Sequence, residues 1–165
     1  MCSSDLILLL VAGAVSCAHP KGDYSGFVPA EALRSFELPE GFQIELIASE
    51  PLVADPVAME VDEQGNFYVV EMHGYPENLK SSGVVKLLKD TDIDGLPDAS
   101  VVFADSLTLP TGIMKWKNGV IVTDVPNVWY LEDTDGDDRA DLKKLLLTGF
   151  ALTNPQHIEI GRAHV

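Results

Sequence analysis

Cysteine is nearly absent from this chain of 165 residues, which has only Cys2 and Cys17. Two distant thiols make no disulfide framework, so a small fold stapled by bridges is excluded. Cations are scarce as well: 11 Lys and Arg stand against 26 Asp and Glu, a net charge of −15. Nucleic acid, whose phosphates demand Lys and Arg, is therefore excluded as a partner. The balance suits divalent cations or simple solubility. No apolar run is long enough to span a bilayer, and no useful run has helical period. Neither a Ser/His/Asp nucleophile set nor a phosphate-cradling glycine loop is present.

What is present is a repeat. Residues 84–104, VVKLLKDTDIDGLPDASVVFA, return as residues 128–147, VWYLEDTDGDDRADLKKLLL, with Leu88 and Leu131 43 residues apart. Asp90, Asp92, Asp94 and Asp98 then fall over Asp133, Asp135, Asp137 and Asp141. Each copy reads strand, acidic loop, strand.

Around the repeat, short β-branched and aromatic runs predict a first unit of four strands, at residues 57–62, 66–71, 84–89 and 100–104. Residues 112–116, 119–124, 127–132 and 143–148 predict a second. Turns at Glu63-Gln64-Gly65 and Lys117-Asn118-Gly119 close the first hairpin of each unit. The two differ mainly in residues 72–83, a long loop reduced to Val125-Pro126 in the second. Four-stranded antiparallel units recurring at about 40–45 residues predict an all-β fold, a β-propeller fragment of about two blades. A β-sandwich also uses short strands, but it does not predict a hairpin at a fixed offset. Residues 42–48 (FQIELIA) alternate like a half-buried strand and are expected to close the ring against a last blade. Trp116 and Trp129 are expected between the blades.

In a meander, successive connections alternate between the two ends of the sheet. Both acidic loops then share one end, and residues 72–83, 105–111, 125–126 and 149–157 gather at the other. The spacing Asp90-x-Asp92-x-Asp94-Gly95-x-x-Asp98 turns alternate carboxylates toward a hard cation such as Ca²⁺. Val101 stands where an EF-hand carries its bidentate Glu. Asp133, Asp135, Asp137 and Asp141 repeat the spacing, with Gly136 ahead of an Asp138 that replaces the glycine. The alternative is a solvated hairpin whose aspartates cap their own turn.

The ends read differently. Met1 to Asp5 and Ile160 to His164 translate from opposite strands of one duplex, GTGTGCTCTTCCGAT, so residues 1–6 and 159–165 are expected to be adapter-derived. Residues 6–17 read as an export signal, with Ala14-Val15-Ser16-Cys17 as a lipobox that makes Cys17 the site of lipidation; an ordinary signal peptide is the alternative. Residues 18–35 read as a linker, and residues 36–158 as the partial propeller. The compartment is then extracytoplasmic, periplasm or cell envelope, with the membrane reached through the lipid anchor.

Residues 39–48 (PEGFQIELIA), 56–71 (PVAMEVDEQGNFYVVE) and 109–114 (LPTGIM) resemble the opening blades of glucose/sorbosone dehydrogenase-like quinoproteins. They look most like the N-terminal domain of large exported proteins named membrane-bound dehydrogenases, whose later parts carry a haem c domain. The resemblance spans residues 36–157. It implies an oxidoreductase acting on a sugar or related alcohol, with pyrroloquinoline quinone (PQQ) on the propeller's top face. It also implies a histidine there that takes the substrate proton, and His157 in Asn154-Pro155-Gln156-His157 would be that base. The sequence departs from the family pattern immediately afterwards. Glu71, His73, Tyr75, Asn154 and Gln156 would line the pocket for a small-molecule substrate. A non-catalytic propeller serving as a binding or scaffold module is the alternative, since fold does not establish function.

Overall fold

The computed structural model describes residues 28–76 and 80–150. The expected export signal, Cys17 and the Asn154, Gln156 and His157 group lie outside the described residues. A short helix, α1 (Pro29–Arg34), opens the described chain with Pro at its first turn, where a missing N–H costs nothing. It falls within the stretch expected to be linker.

Eight strands follow: β1 (Pro56–Val61), β2 (Phe67–Glu71), β3 (Gly83–Lys89), β4 (Ala99–Leu107), β5 (Pro110–Trp116), β6 (Gly119–Asp124), β7 (Asn127–Glu132) and β8 (Leu142–Thr148). They form two antiparallel four-stranded sheets, β1-β2-β3-β4 and β5-β6-β7-β8. The fold is all-β and made of two propeller blades that leave the ring open. Among the described residues no helix is long and apolar enough to cross a membrane.

The hairpin turns have local causes. Asp62 Oδ1 accepts the N–H groups of Gln64 and Asn66, both at 2.9 Å, and Gly65 takes the positive φ of 86° that the turn needs. At the second hairpin a Cβ on Gly119 would collide with the Leu131 carbonyl. A larger residue cannot fit there. Strand β4 runs three residues beyond expectation, because a bulge opposite Val85 lets Leu107 still pair with Gly83.

The blades pack face to face. Tyr68, Val70, Leu87 and Phe103 of the first blade meet Val120, Val122 and Leu131 of the second. Tyr68 and Phe103 cross edge to face at 5.1 Å and 86°, worth about 0.5–1.5 kcal/mol beyond burial. Each of these fully buried aliphatic side chains contributes about 1.5–3 kcal/mol. Two polar clips cross the interface: Lys89 Nζ lies 2.9 Å from Asp138, and Ala140 N–H donates to the Phe103 carbonyl at 2.7 Å. Trp129 packs against this core, as expected.

Two expectations fail here. Residues 42–48 join no sheet, and Phe42 is 70% exposed. A strand needs a neighbour for its N–H and C=O groups, and the last blade that a ring-closing strand would join is not part of this sheet pair. Trp116 is half exposed, on the open outer side of the second blade.

Candidate functional site

The two acidic loops are near copies in three dimensions. Asp90 accepts N–H bonds from Ile93 and Gly95 at 2.7 Å, and Asp133 from Gly136 at 2.7 Å and Asp138 at 2.8 Å. Leu96 donates to Asp94 and Arg139 to Asp137, each at 2.9 Å. At the base Thr91 N–H binds Asp98 and Thr134 N–H binds Asp141, also at 2.9 Å. The displaced glycine is now explained. Both loops need left-handed backbone at two positions, with φ of 64° at Ile93 and 96° at Gly95, and 85° at Gly136 and 67° at Asp138. Each copy places its glycine at only one of the two.

These bonds divide the aspartates by role. Asp90, Asp92 and Asp94 bring carboxylate oxygens within 4.8 Å of one another, as do Asp133, Asp135 and Asp137. Asp98 and Asp141 instead tie the loop base to a threonine. Backbone N–H bonds, led by Gly95 and Gly136, hold Asp90 and Asp133 below the usual carboxylate range. Asp98 and Asp141 are lowered chiefly by the threonine hydroxyls. Asp92 moves the other way, raised by the charge of Asp94. The oxygen donors fit a hard cation, and the loops also cap their own turns; the two readings of the spacing coexist.

The opposite end of the sheets holds a second cluster, around Glu71, which is fully buried at the end of β2. Its Oε1 accepts the Ala54 N–H at 2.8 Å and lies 3.1 Å from Lys86 Nζ. Its Oε2 lies 2.9 Å from His73 Nε2, and His73 Nδ1 lies 3.2 Å from Asp55 Oδ2. A neutral imidazole donates to only one of these carboxylates, a charged one to both. Lys86 also donates to the Leu52 carbonyl at 3.1 Å. Ser82 Oγ holds the His73 carbonyl at 2.8 Å, pinning the long loop. His73 and Tyr75 reach the surface; Glu71 lies beneath them and orients the imidazole.

The second blade repeats this anchor. Pro56 pairs with Glu71 where β1 begins, and Pro110 pairs with Asp124 where β5 begins. Asp124 Oδ1 accepts the N–H groups of Thr108 and Leu109 at 2.7 Å, and its Oδ2 accepts Trp129 Nε1–H at 3.2 Å. Burial pushes its carboxyl up, against the pull of those N–H bonds. In each blade an acid ending the second strand therefore clamps the loop that leads into the first.

Met72, Leu109 and Val125 form a small apolar cluster at this same end. The chain leaves β8 there too, Gly149 N–H donating to the Pro126 carbonyl at 3.0 Å. The expected sorting of loops thus holds for the described residues. Residue numbers alone did not single out Asp55, Lys86 or Asp124. The acids closing Tyr-Val-Val-Glu71 and Ile-Val-Thr-Asp124 were the signal for the last of these.

Residues 28–162 match the family described as Domain of unknown function (DUF7133). The chain belongs to that family. No curated protein and no solved structure matches it. The DUF7133 chain thus presents one end rimmed by aspartates and another built on buried acids.

Proposed function

We propose that this DUF7133 chain forms the opening blades of an exported, quinoprotein-type dehydrogenase acting on a sugar or related alcohol. The observation that carries the reading is that His73, Tyr75 and the exit of the chain from β8 share one end of the sheets. In this reading His157 takes the substrate hydroxyl proton. His73, held by Glu71 and Asp55, lines the rim with Tyr75, Asn154 and Gln156. Cys17 supplies a lipid anchor in the cell envelope, and a haem c domain farther along the full-length protein takes the electrons.

The quinone itself does not fit the residues described here. Its carboxylates need cations, and Lys86 at this end is already paired with Glu71. Contacts to the quinone belong to other blades. The donor set does fit Ca²⁺: Asp90, Asp92 and Asp94, with Asp133, Asp135 and Asp137, would hold it as a structural clip.

One observation favours the second reading, a non-catalytic binding or scaffold propeller: Glu71, Lys86, His73 and Asp55 satisfy one another. Dye reduction by the full-length protein with PQQ, calcium and a sugar panel separates the two. Substrate-dependent reduction that His157→Ala abolishes supports the dehydrogenase. No reduction with any sugar or alcohol refutes it.

A further inference from the structure

Both blades clamp the loop that leads into their first strand, but with different chemistry. Asp124 finds its partners in two backbone N–H groups and the Trp129 indole, none of which titrates. Glu71 shares the backbone donor, Ala54 N–H, and adds Lys86 and His73. Lys86 lies 43 residues before Trp129, the offset of the repeat, and Asp55 precedes Pro56 as Leu109 precedes Pro110. His73 belongs to the long loop that the second blade lacks. The second blade holds its loop with one ionisable group; the first uses four, Asp55, Glu71, His73 and Lys86.

These four form one chain, with His73 bracketed by two acids. A carboxylate oxygen faces each ring nitrogen, Glu71 Oε2 at 2.9 Å from Nε2 and Asp55 Oδ2 at 3.2 Å from Nδ1. The Glu71 side chain is wholly buried and that of Asp55 is 66% exposed. Glu71 comes from the end of β2, Asp55 from the loop before β1, and Lys86 stands behind Glu71 on β3. A charged imidazole donates to both acids, whereas a neutral one has a single proton. That proton stays on Nε2, because a buried Glu71 oxygen stripped of its donor costs more than an exposed Asp55 that water can solvate. The Nδ1 lone pair then faces the Asp55 carboxylate and repels it. Histidine is the side chain whose charge changes near neutral pH.

We propose that Asp55, His73 and Glu71 form a pH-sensitive latch, closed while His73 is charged, between the loop before β1 and the root of the long loop at residues 72–75. The tie is present at acid pH and lost as pH rises and the imidazole gives up its proton. Met72 N–H donates to the Asp55 carbonyl at 3.2 Å, so a backbone bond beside the latch reports its state. The latch goes beyond the dehydrogenase reading and does not rest on it.

Hydrogen exchange of the full-length protein at about pH 5 and about pH 8, corrected for intrinsic rates, reads the latch at the Met72 amide. Protection there should fall about tenfold between the two, the weight of one charge-assisted hydrogen bond. Asp55→Asn keeps the contact in either state, since its amide accepts from a charged imidazole and donates to a neutral one. Its protection should be the same at both pH values. His73→Gln, which cannot change charge, should also remove the response. Parent protection that does not change with pH, or a change that persists in either variant, would overturn the latch. Dye reduction, the readout of the dehydrogenase reading, enters neither outcome.

Discussion

Replacing Lys86 by Met leaves Glu71 fully buried without its cation. Methionine keeps the apolar stem, so packing is little changed and the loss is electrostatic. Removing one partner of a buried ion pair costs about 3–5 kcal/mol. Glu71 keeps the Ala54 N–H and His73, which places the loss near the lower figure, about 3 kcal/mol. The companion Glu71→Gln retains an acceptor for Ala54 and frees Lys86, whose side chain is 17% exposed, to reach water; it should cost about 1 kcal/mol. The double variant should cost little more than Glu71→Gln alone, a coupling of about 2 kcal/mol or more. Urea unfolding followed by tryptophan fluorescence measures all four corners of the cycle. A loss below about 1 kcal/mol for Lys86→Met, or a double variant that equals the sum of the singles, would refute the buried clamp.

Ile93 is 90% exposed and holds a φ of 64°. Left-handed backbone costs such a residue about 1–2 kcal/mol, and glycine returns about 0.5–1 kcal/mol through its freer unfolded chain. Ile93→Gly should therefore stabilise by roughly 0.5–1 kcal/mol, and a lower melting temperature would refute the strain. The lowered carboxyls of Asp90, Asp98, Asp133 and Asp141 contribute stability that is present above their ordinary value of 3.8 and lost as pH falls through their depressed values. The raised Asp124 works in the opposite sense. Asp98→Asn with Asp141→Asn should flatten the acid limb of melting temperature against pH between about 5 and 2; an unchanged limb would show that the loops take no part in it. Millimolar calcium should raise the melting temperature of the chain and not that of Asp92→Asn with Asp135→Asn. Equal responses would place the ion elsewhere.

The blade pattern was legible because its cause is local. Aspartates spaced two apart, a glycine bend and flanking β-branched runs all act within about twenty residues, so the acidic loops and all eight strands lie where the residues predict. The clamp acids were not legible in the same way. Glu71 meets Lys86, and His73 meets Asp55, across 15 or more residues, and in sequence each looks like an ordinary polar residue beside a strand. Their equivalence with Asp124 emerges only once the register pairs each acid with a proline. Residues 42–48 show the limit of periodicity: alternation marks a segment able to be a strand, but a ladder needs a neighbour. Trp116 shows the same for burial, since its face waits for a partner.

The proposed function assigns the work of this domain to the end that carries His73 and the exit of β8, and leaves the aspartate loops to hold the blades. Dye reduction by the full-length protein tests it through two sets of variants. His157→Ala should lose activity with the melting temperature unchanged, and His73→Ala should lose activity and also lower the melting temperature, because Oε2 of buried Glu71 loses its partner. Asp92→Asn with Asp135→Asn should lower the melting temperature in calcium and leave activity per folded molecule intact. Activity that survives both histidine substitutions but disappears with the aspartates would contradict the assignment of the two ends.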